Sequence, residues 1–528
     1  MRPGRHGALN QLCSLVSVLA LAGCGGDDED SAQPQALSAA QVCQSINGKS
    51  VGGAAGLAAV TMAASGAFPT YCKVTGVIAP KLNFEMRVPD TWNGKLYYTG
   101  GGGFNGSIWA LAQSPIDTLQ AVKDGYISVV SDSGHQGTSV DTEWAVNDGY
   151  AAQLWGSGSV PLVMSAAKEI VKTAYGQQPA QSYFEGCSNG GREGIMAMLR
   201  NPNLFDGVII RSPAYNTVGF FGHWQSNINA QLAPGASLSN AKVAALSKAV
   251  RDKCDALDGV VDGVVGNQAA CSAEFDPATR RCAGGVDTGD TCLSDPQLAS
   301  LASILSGASF GAPESLYRDA PRALTGNDDD PGAWPAFITG NGNPLATVGS
   351  ALTAGAIKGF IARDYSIDPL AYTPYDRDLN ALFSFATVSD ATSPDLRPFI
   401  ARGGKVIFWH AGNDAAFPVQ STADYVQAVS TVLGKADTES STRFYVSPGV
   451  NHCDGGPGAD KSNLLAALDE WVVANNAPAT LLAKKTDPAG STLFERPLCR
   501  YPQYARYTGP ANDAAAAKLA SNFACTSP

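Results

Sequence analysis

The chain has 528 residues, 45% of them hydrophobic and 16% charged, which is enough apolar material for a sizeable core and too little charge for a disordered chain. Its formal net charge of −11 excludes nucleic acid as a partner, because phosphates require a basic face.

Arg2 and Arg5 precede an apolar run from Leu12 to Ala22, too short to span a bilayer as a mature helix and read instead as an export signal. The run ends in Leu21-Ala22-Gly23-Cys24, which resembles the lipobox of bacterial lipoprotein signals, where cleavage falls before the cysteine and its thiol is lipidated. On this reading residues 1–23 are the signal, Cys24 carries the lipid, and the Gly-, Asp-, Ser-, Gln- and Pro-containing stretch 24–40 is a flexible tether. An ordinary signal peptide cleaved nearby is the alternative. The first expectation is an outer-membrane lipoprotein facing the periplasm or the cell surface, the second a secreted protein. No later segment has 18 consecutive apolar residues, so a membrane is expected to enter only through the lipid anchor.

Strand-like runs rich in Val, Ile, Tyr and Phe follow at Lys95–Thr99, Tyr126–Ser131, Ser182–Glu185, Gly207–Arg211, Lys405–Trp409 and Arg443–Ser447. Helix-like segments alternate with them at Pro161–Ala174, Arg192–Arg200, Ser421–Leu433 and Lys461–Asn475, the pattern of an α/β fold. The alternation breaks between residues 217 and 388, where Gly, Ala, Asp, Asn and Pro rise and four cysteines fall within forty residues. We read 217–388 as an inserted lid and 41–216 with 389–528 as the catalytic core.

Of the 12 cysteines, Cys13 and Cys24 belong to the signal. The even number remaining in an exported protein reads as a disulfide framework, and no Cys-x-x-Cys pair favours zinc.

Gly186-Cys187-Ser188-Asn189-Gly190 fits Gly-x-Ser-x-Gly, with a strand entering and a helix leaving. Small residues on both sides let a serine project from a sharp strand-to-helix turn, and the helix N-terminus aims free N–H groups at an oxyanion. The base should follow a late strand, which selects His452 after Arg443–Ser447. The acid should follow the preceding strand, which selects Asp414 after Lys405–Trp409, with the task of holding the imidazole tautomer. Asp132 reads as a structural turn residue, His135 and His410 as cleft-wall or hydrogen-bonded loop residues, and His223 has no assigned role. The glycine run Gly100–Gly103, directly after a strand, supplies the second oxyanion donor, so the backbone N–H groups of Gly103 and Asn189 are expected to form the oxyanion hole. Cys187 precedes the nucleophile and Cys453 follows the base; a bond between them would tie the two loops, although each could pair elsewhere.

These residues resemble the tannase and feruloyl esterase family of α/β-hydrolases, in which a Cys-Ser…Asp…His-Cys constellation carries a bridge between the two cysteines. The resemblance runs from about Val42 to Cys525, and its most specific pieces are Gly186–Gly194, Asn451–Gly458 and Arg496–Cys499. It implies an α/β-hydrolase core with a large inserted lid domain and a carboxylic ester hydrolase acting on small esters of aromatic acids through an acyl-enzyme. It also implies the bridges Cys187–Cys453, Cys43–Cys72, Cys254–Cys271, Cys282–Cys292 and Cys499–Cys525. Cys254–Val264 is similar to the family's lid calcium loop, which implies side-chain ligands Asp255, Asp258 and Asp262 and carbonyl ligands Val260 and Val264 for a structural calcium ion. Carboxylates and freed carbonyls at this spacing suit a hard cation; without the family they read equally as two Asp-Gly turns. The pieces also resemble the bacterial branch with terephthalate monoester hydrolase activity, but that branch has a glutamate where this chain has Asn189 and a lid arginine with no counterpart here. Hydroxycinnamic and gallic esters are therefore the first expectation, terephthalate monoesters the second, and a non-catalytic binding lipoprotein on a hydrolase scaffold the rival class.

Overall fold

Apolar runs such as Gly207–Ile210 and Val406–Trp409 have no polar face to show to water, and they fold as central strands covered on both sides. The computed structural model describes residues 37–528 except 112, 115 and 311–316. The expected signal segment, Cys24 and the expected tether up to residue 36 lie outside the described residues. The tether's expected end does not reach residue 40, because Ser38 caps a helix over Ala39–Ile46.

Nine strands form one sheet: β1 (Ala54–Met62), β2 (Tyr71–Ile78), β3 (Leu82–Pro89), β4 (Lys95–Thr99), β5 (Ile127–Ser131), β6 (Gln181–Ser188), β7 (Gly207–Pro213), β8 (Lys405–Ala411) and β9 (Thr442–Ser447). Their order is β1-β2-β3-β5-β4-β6-β7-β8-β9. The first three pair antiparallel and β3 pairs antiparallel with β5, while every pair from β5 to β9 is parallel. The parallel part brings the carboxyl ends of β4, β6, β8 and β9 to one edge, where open α/β sheets place their sites.

Helices cover both faces. α1 (Ser159–Tyr175) buries Val163, Met164, Ala167, Ile170 and Val171 against the side that carries Phe184, Val208 and Phe408. The opposite side, with Tyr183, Ile209 and Trp409, is covered by Leu464, Leu468 and Trp471 of a late helix over Leu464–Ala474. That helix begins three residues after the expected Lys461, because the Asn463 side chain accepts the Ala466 N–H at 3.0 Å and caps it there.

Between β7 and β8 the chain leaves the sheet for α2 (Thr217–Leu232), α3 (Asn240–Cys254) and shorter helices. Phe220, Phe221, Trp224, Phe360 and Phe385 of this segment share one buried cluster with Phe104, Trp155 and Phe417. After the last large helix come two hairpins, Leu481–Thr486 with Thr492–Leu498 and Tyr504–Tyr507 with Phe523–Thr526. Cys43–Cys72, Cys254–Cys271, Cys282–Cys292 and Cys499–Cys525 are bonded. Such a framework belongs to an oxidising, extracytoplasmic setting. No helix among the described residues is long and apolar enough to cross a membrane.

Candidate active site

β6 runs without a loop into the helix Asn189–Arg200, and Ser188 is the junction, with φ 61° and ψ −122°. Only surroundings that over-determine it hold a serine there. The flanking glycines follow from close approach: a Cβ on Gly186 would fall 2.4 Å from the Gly190 carbonyl, and one on Gly190 2.9 Å from the Gly101 oxygen. Gly-x-Ser-x-Gly is thus a steric requirement of this corner.

Asp414 follows β8 and His452 follows β9, parallel neighbours paired from Val406–Thr442 to Ala411–Ser447. His452 Nδ1 lies 2.8 Å from Asp414 Oδ2. The other oxygen of Asp414 accepts the N–H groups of Ala416 and Phe417 at 2.8 and 2.9 Å. Burial alone would push this carboxyl up; His452, its hydrogen bond, His410 and the Phe417 N–H outweigh that and hold it at about 2. The imidazole of His452 packs edge-on between Phe337, 5.5 Å away, and Phe417, 5.3 Å away.

Cys187 and Cys453 are bonded, with Cα atoms 5.9 Å apart. Among the described residues they and His452 are the one set of three or more His, Cys, Asp and Glu side chains whose candidate ligand atoms converge, and the disulfide occupies both sulfurs. The bridge therefore sets the backbones bearing Ser188 and His452 side by side.

The glycine loop after β4 lies against the start of the nucleophile helix. Gly100 donates to the Glu185 carbonyl at 2.9 Å. Buried Glu193 accepts from Gly101 N–H at 3.1 Å, Asn105 Nδ2 at 2.8 Å and Asn189 Nδ2 at 3.1 Å. Asn189 Nδ2 also donates to Asn105 Oδ1 at 2.9 Å, and Asn189 Oδ1 accepts from Arg192 Nε at 2.7 Å. Gly103 has φ 54°, and a Cβ there would meet the Ser139 carbonyl at 2.4 Å. The Gly103 and Asn189 segments are thus brought to the same corner as Ser188. Glu193 and Asn105 escaped the sequence reading, although Glu193 stands in Gly190-Gly191-Arg192-Glu193-Gly194.

His410 and His223 are hydrogen-bonded elsewhere, and His135 is buried and stacked with neither ring nitrogen partnered among the described residues. His410 is buried, 3.5 Å from Asp414, with its nitrogens on Thr422 Oγ1 and the Phe417 carbonyl, and burial lowers its pKa. His135 stacks on Trp144 at 3.6 Å, and burial pushes it down to about 4. His223 bonds Asp319 and the Ser303 carbonyl. Asp132 holds a turn, accepting from Asn83, Gly134 and Gln136.

In the loop Asp255–Val264, Asp255 and Asp258 are buried with no cationic side chain within 4 Å among the described residues. Burial first, then Asp262 and Asp255, push Asp258 up to about 7. A Cβ on Gly266 would fall 2.2 Å from an Asp258 oxygen, so glycine keeps that carboxylate clear. Two buried, mutually repelling carboxylates are a donor set that a hard cation fits. Asp262, however, pairs with Arg496, and the three carboxylates do not converge on one point. A cavity of about 460 Å³ touches Asp258, Arg322, Asp414 and Arg496 but neither Ser188 nor His452.

Residues 66–526 match the family model described as tannase and feruloyl esterase. The chain is 33% identical over 539 aligned positions to a mono(2-hydroxyethyl) terephthalate hydrolase of Piscinibacter sakaiensis, covering 89% of this chain and 87% of that one. It is 30% identical to a probable feruloyl esterase of Arthroderma benhamiae, covering 80% and 79%. Feruloyl esterase B from Aspergillus oryzae has the same fold, with a TM-score of 0.75 at 21% identity over 90% of this chain and 96% of that one. Tannin acyl hydrolase from Aspergillus niger likewise shares the fold, at 0.73 and 21% over 93% and 95%.

Proposed function

We propose a serine mechanism for this chain, which belongs to the tannase and feruloyl esterase family of α/β-hydrolases and is a carboxylic ester hydrolase. Ser188 attacks the ester carbonyl, and His452 takes its proton and returns it to the leaving alcohol. Water then attacks the acyl-enzyme, with His452 again accepting and delivering the proton. Asp414 holds the Nδ1–H tautomer, so that Nε2 is the working nitrogen. The N–H groups of Gly103 and Asn189 stabilise the oxyanion. The observation that carries this reading is the Asp414–His452 hydrogen bond of 2.8 Å beside a bridge that joins the nucleophile's neighbour to the base's neighbour.

The substrates are small esters of aromatic acids, hydroxycinnamic and gallic esters first. Phe337 and Phe417 beside His452, and the aromatic cluster that residues 217–388 share with the core, favour a flat acyl group under a lid. Terephthalate monoesters are the second reading, favoured by the 33% identity to the hydrolase named for one. Against it, Arg251 pairs with Asp329, Arg363 donates to the Val146 carbonyl, and Arg322 donates to the carbonyls of Asp414 and Ala416, so each is engaged by the protein itself.

A structural calcium ion would be held by Asp255 and Asp258 and by the Val260 and Val264 carbonyls, and Asp262 would join them only by giving up Arg496. It would neutralise buried charge in the lid and takes no part in the bond changes. Cys24 is proposed as the lipid-bearing residue that anchors the exported protein.

The test is hydrolysis of methyl ferulate, methyl gallate and a terephthalate monoester, with Ser188→Ala as control. Full activity of that variant would overturn the serine mechanism, whereas no labelling of the folded wild type by a fluorophosphonate would favour a non-catalytic binding protein.

A further inference from the structure

Each of the two residues that follow β8 and β9 to form the acid–base pair is preceded by a buried asparagine: Asn413 before Asp414, Asn451 before His452. The two side chains are bonded to each other, Asn413 Nδ2 donating to Asn451 Oδ1 at 2.7 Å. Both are also bonded to one short segment of the insertion. Asn413 Nδ2 donates to the Asn327 carbonyl at 2.9 Å, and its Oδ1 accepts from Thr325 Oγ1. Asn451 Nδ2 donates to Asp330 Oδ1 at 2.6 Å.

That segment is stiff before it meets the core. Asp328 accepts the N–H groups of Thr325 and Gly326 at 3.0 and 3.1 Å, Asp329 is paired with Arg251 at 2.9 Å, and Asp330 Oδ1 accepts the Gly332 N–H at 2.9 Å. It also sits directly on Asn451, since a Cβ on Gly332 would fall 2.8 Å from Asn451 Nδ2. Little slack remains between the insertion and the loops that bear the acid and the base.

We propose that Asp330, Asn451 and Asn413 are positioning residues, through which the lid segment 325–330 holds Asp414 and His452 in register. On this proposal the insertion both covers the substrate and forms part of the frame of the acid–base pair. The physical reason is that neither catalytic loop has regular structure at this point. Backbone bonds from Gly412 and Asn413 to the Ser447 and Val450 carbonyls join the two loops to each other, but the insertion is tied to them through side-chain hydrogen bonds, and in a buried setting these are satisfied only when all three segments are docked together. The proposal rests on the triad reading given above.

The test uses the full chain. Asp330→Ala removes the lid's acceptor without touching the triad or its neighbours in sequence, and Asn451→Ala removes the middle of the relay. Asp330→Asn keeps an oxygen in place as the conservative variant. Hydrolysis of methyl ferulate should show kcat down roughly 10-fold or more in both alanine variants, as for other supports one shell from the chemistry, with KM within about twofold of wild type. The double variant should lose no more than Asn451→Ala alone, because the two act through one chain of bonds. The acidic limb of kcat/KM should move to lower pH as Asp414's support of the imidazolium weakens, and Asp330→Asn should recover part of kcat.

The proposal is overturned if Asp330→Ala keeps the wild-type kcat and pH profile, if its loss appears only in KM or melting temperature, or if the two losses multiply independently. Should Asn451→Ala fail to fold, the two Asp330 variants decide the question by themselves. Failure of the triad reading is separate, since it would appear as activity in Ser188→Ala.

Discussion

Cys187 and Cys453 are bonded across 266 residues of chain, and each is the immediate neighbour of a proposed catalytic residue, Cys187 just before Ser188 and Cys453 just after His452. A closed loop of that length removes unfolded-state entropy worth about 5 kcal/mol in the chain-entropy model. Catalysis depends more on position, because the two backbones are held 5.9 Å apart at the Cα atoms where a misplacement of about 1 Å can cost 100-fold. Reduction under native conditions, or Cys187→Ser with Cys453→Ser, should lower kcat at least about 10-fold while far-ultraviolet circular dichroism stays unchanged. Unaltered turnover in the folded double variant would mean that the bridge is not a catalytic tether.

Asp414 is a second point of sensitivity. Its folded pKa of about 2 lies below the ordinary 3.8, so the ionised form is favoured by folding. The resulting stabilisation, roughly 2–3 kcal/mol, is complete above the ordinary value and is lost as pH falls through about 2. Urea unfolding from pH 5 to pH 2 should show wild type losing this increment and Asp414→Asn lacking it. In the same variant kcat should fall by up to about 10⁴, because an amide favours the wrong imidazole tautomer.

Glu193 receives three donors from two segments, Gly101 and Asn105 on the glycine loop and Asn189 on the nucleophile helix. Glu193→Ala leaves these donors unpaired in a buried place, at a cost of about 1–3 kcal/mol for each that water cannot reach. It should lower both the unfolding midpoint and kcat, the latter roughly 10-fold or more, as the glycine loop proposed to hold the oxyanion loses its clamp. Glu193→Gln should retain stability better than kcat, since its amide nitrogen meets donors where an acceptor is needed. Equal kcat in folded Glu193→Gln would show that the clamp serves the fold alone.

Calcium can be tested without activity. Metal analysis of purified protein should find about one calcium per chain, and chelation should lower the melting temperature by roughly 3 °C or more. Asp258→Asn should abolish the chelator effect. A melting curve indifferent to chelator, with no calcium in the protein, would leave Asp255 and Asp258 as buried turn residues.

The motifs that carry the chemistry were legible because their causes are local. A corner that places serine at φ 61° needs glycine where Gly186 and Gly190 stand, and both constraints act within five residues. β4, β7 and β8 were legible because central parallel strands are buried on both faces and carry near-continuous apolar runs. β1 escaped because Ala54-Ala55-Gly56-Leu57-Ala58-Ala59 has little contrast between its faces, and only pairing with β2 makes it a strand. The C-terminal hairpins depend in the same way on partners far along the chain.

By itself the sequence determined which residue types could act and at which strand ends they stand: Ser188, Asp414 and His452, with a cysteine touching two of them. Tertiary structure alone decided how those ends meet: the strand order, the bonding of Asp414 to His452 while the nitrogens of His410 go to Thr422 and Phe417, and the docking of Asn413 and Asn451 onto Asn327 and Asp330. The physical reason is range. Backbone sterics and apolar runs act over a few neighbours and leave their mark in the sequence, whereas a buried amide takes whichever partner the folded chain brings to it, here from 86 and 121 residues away.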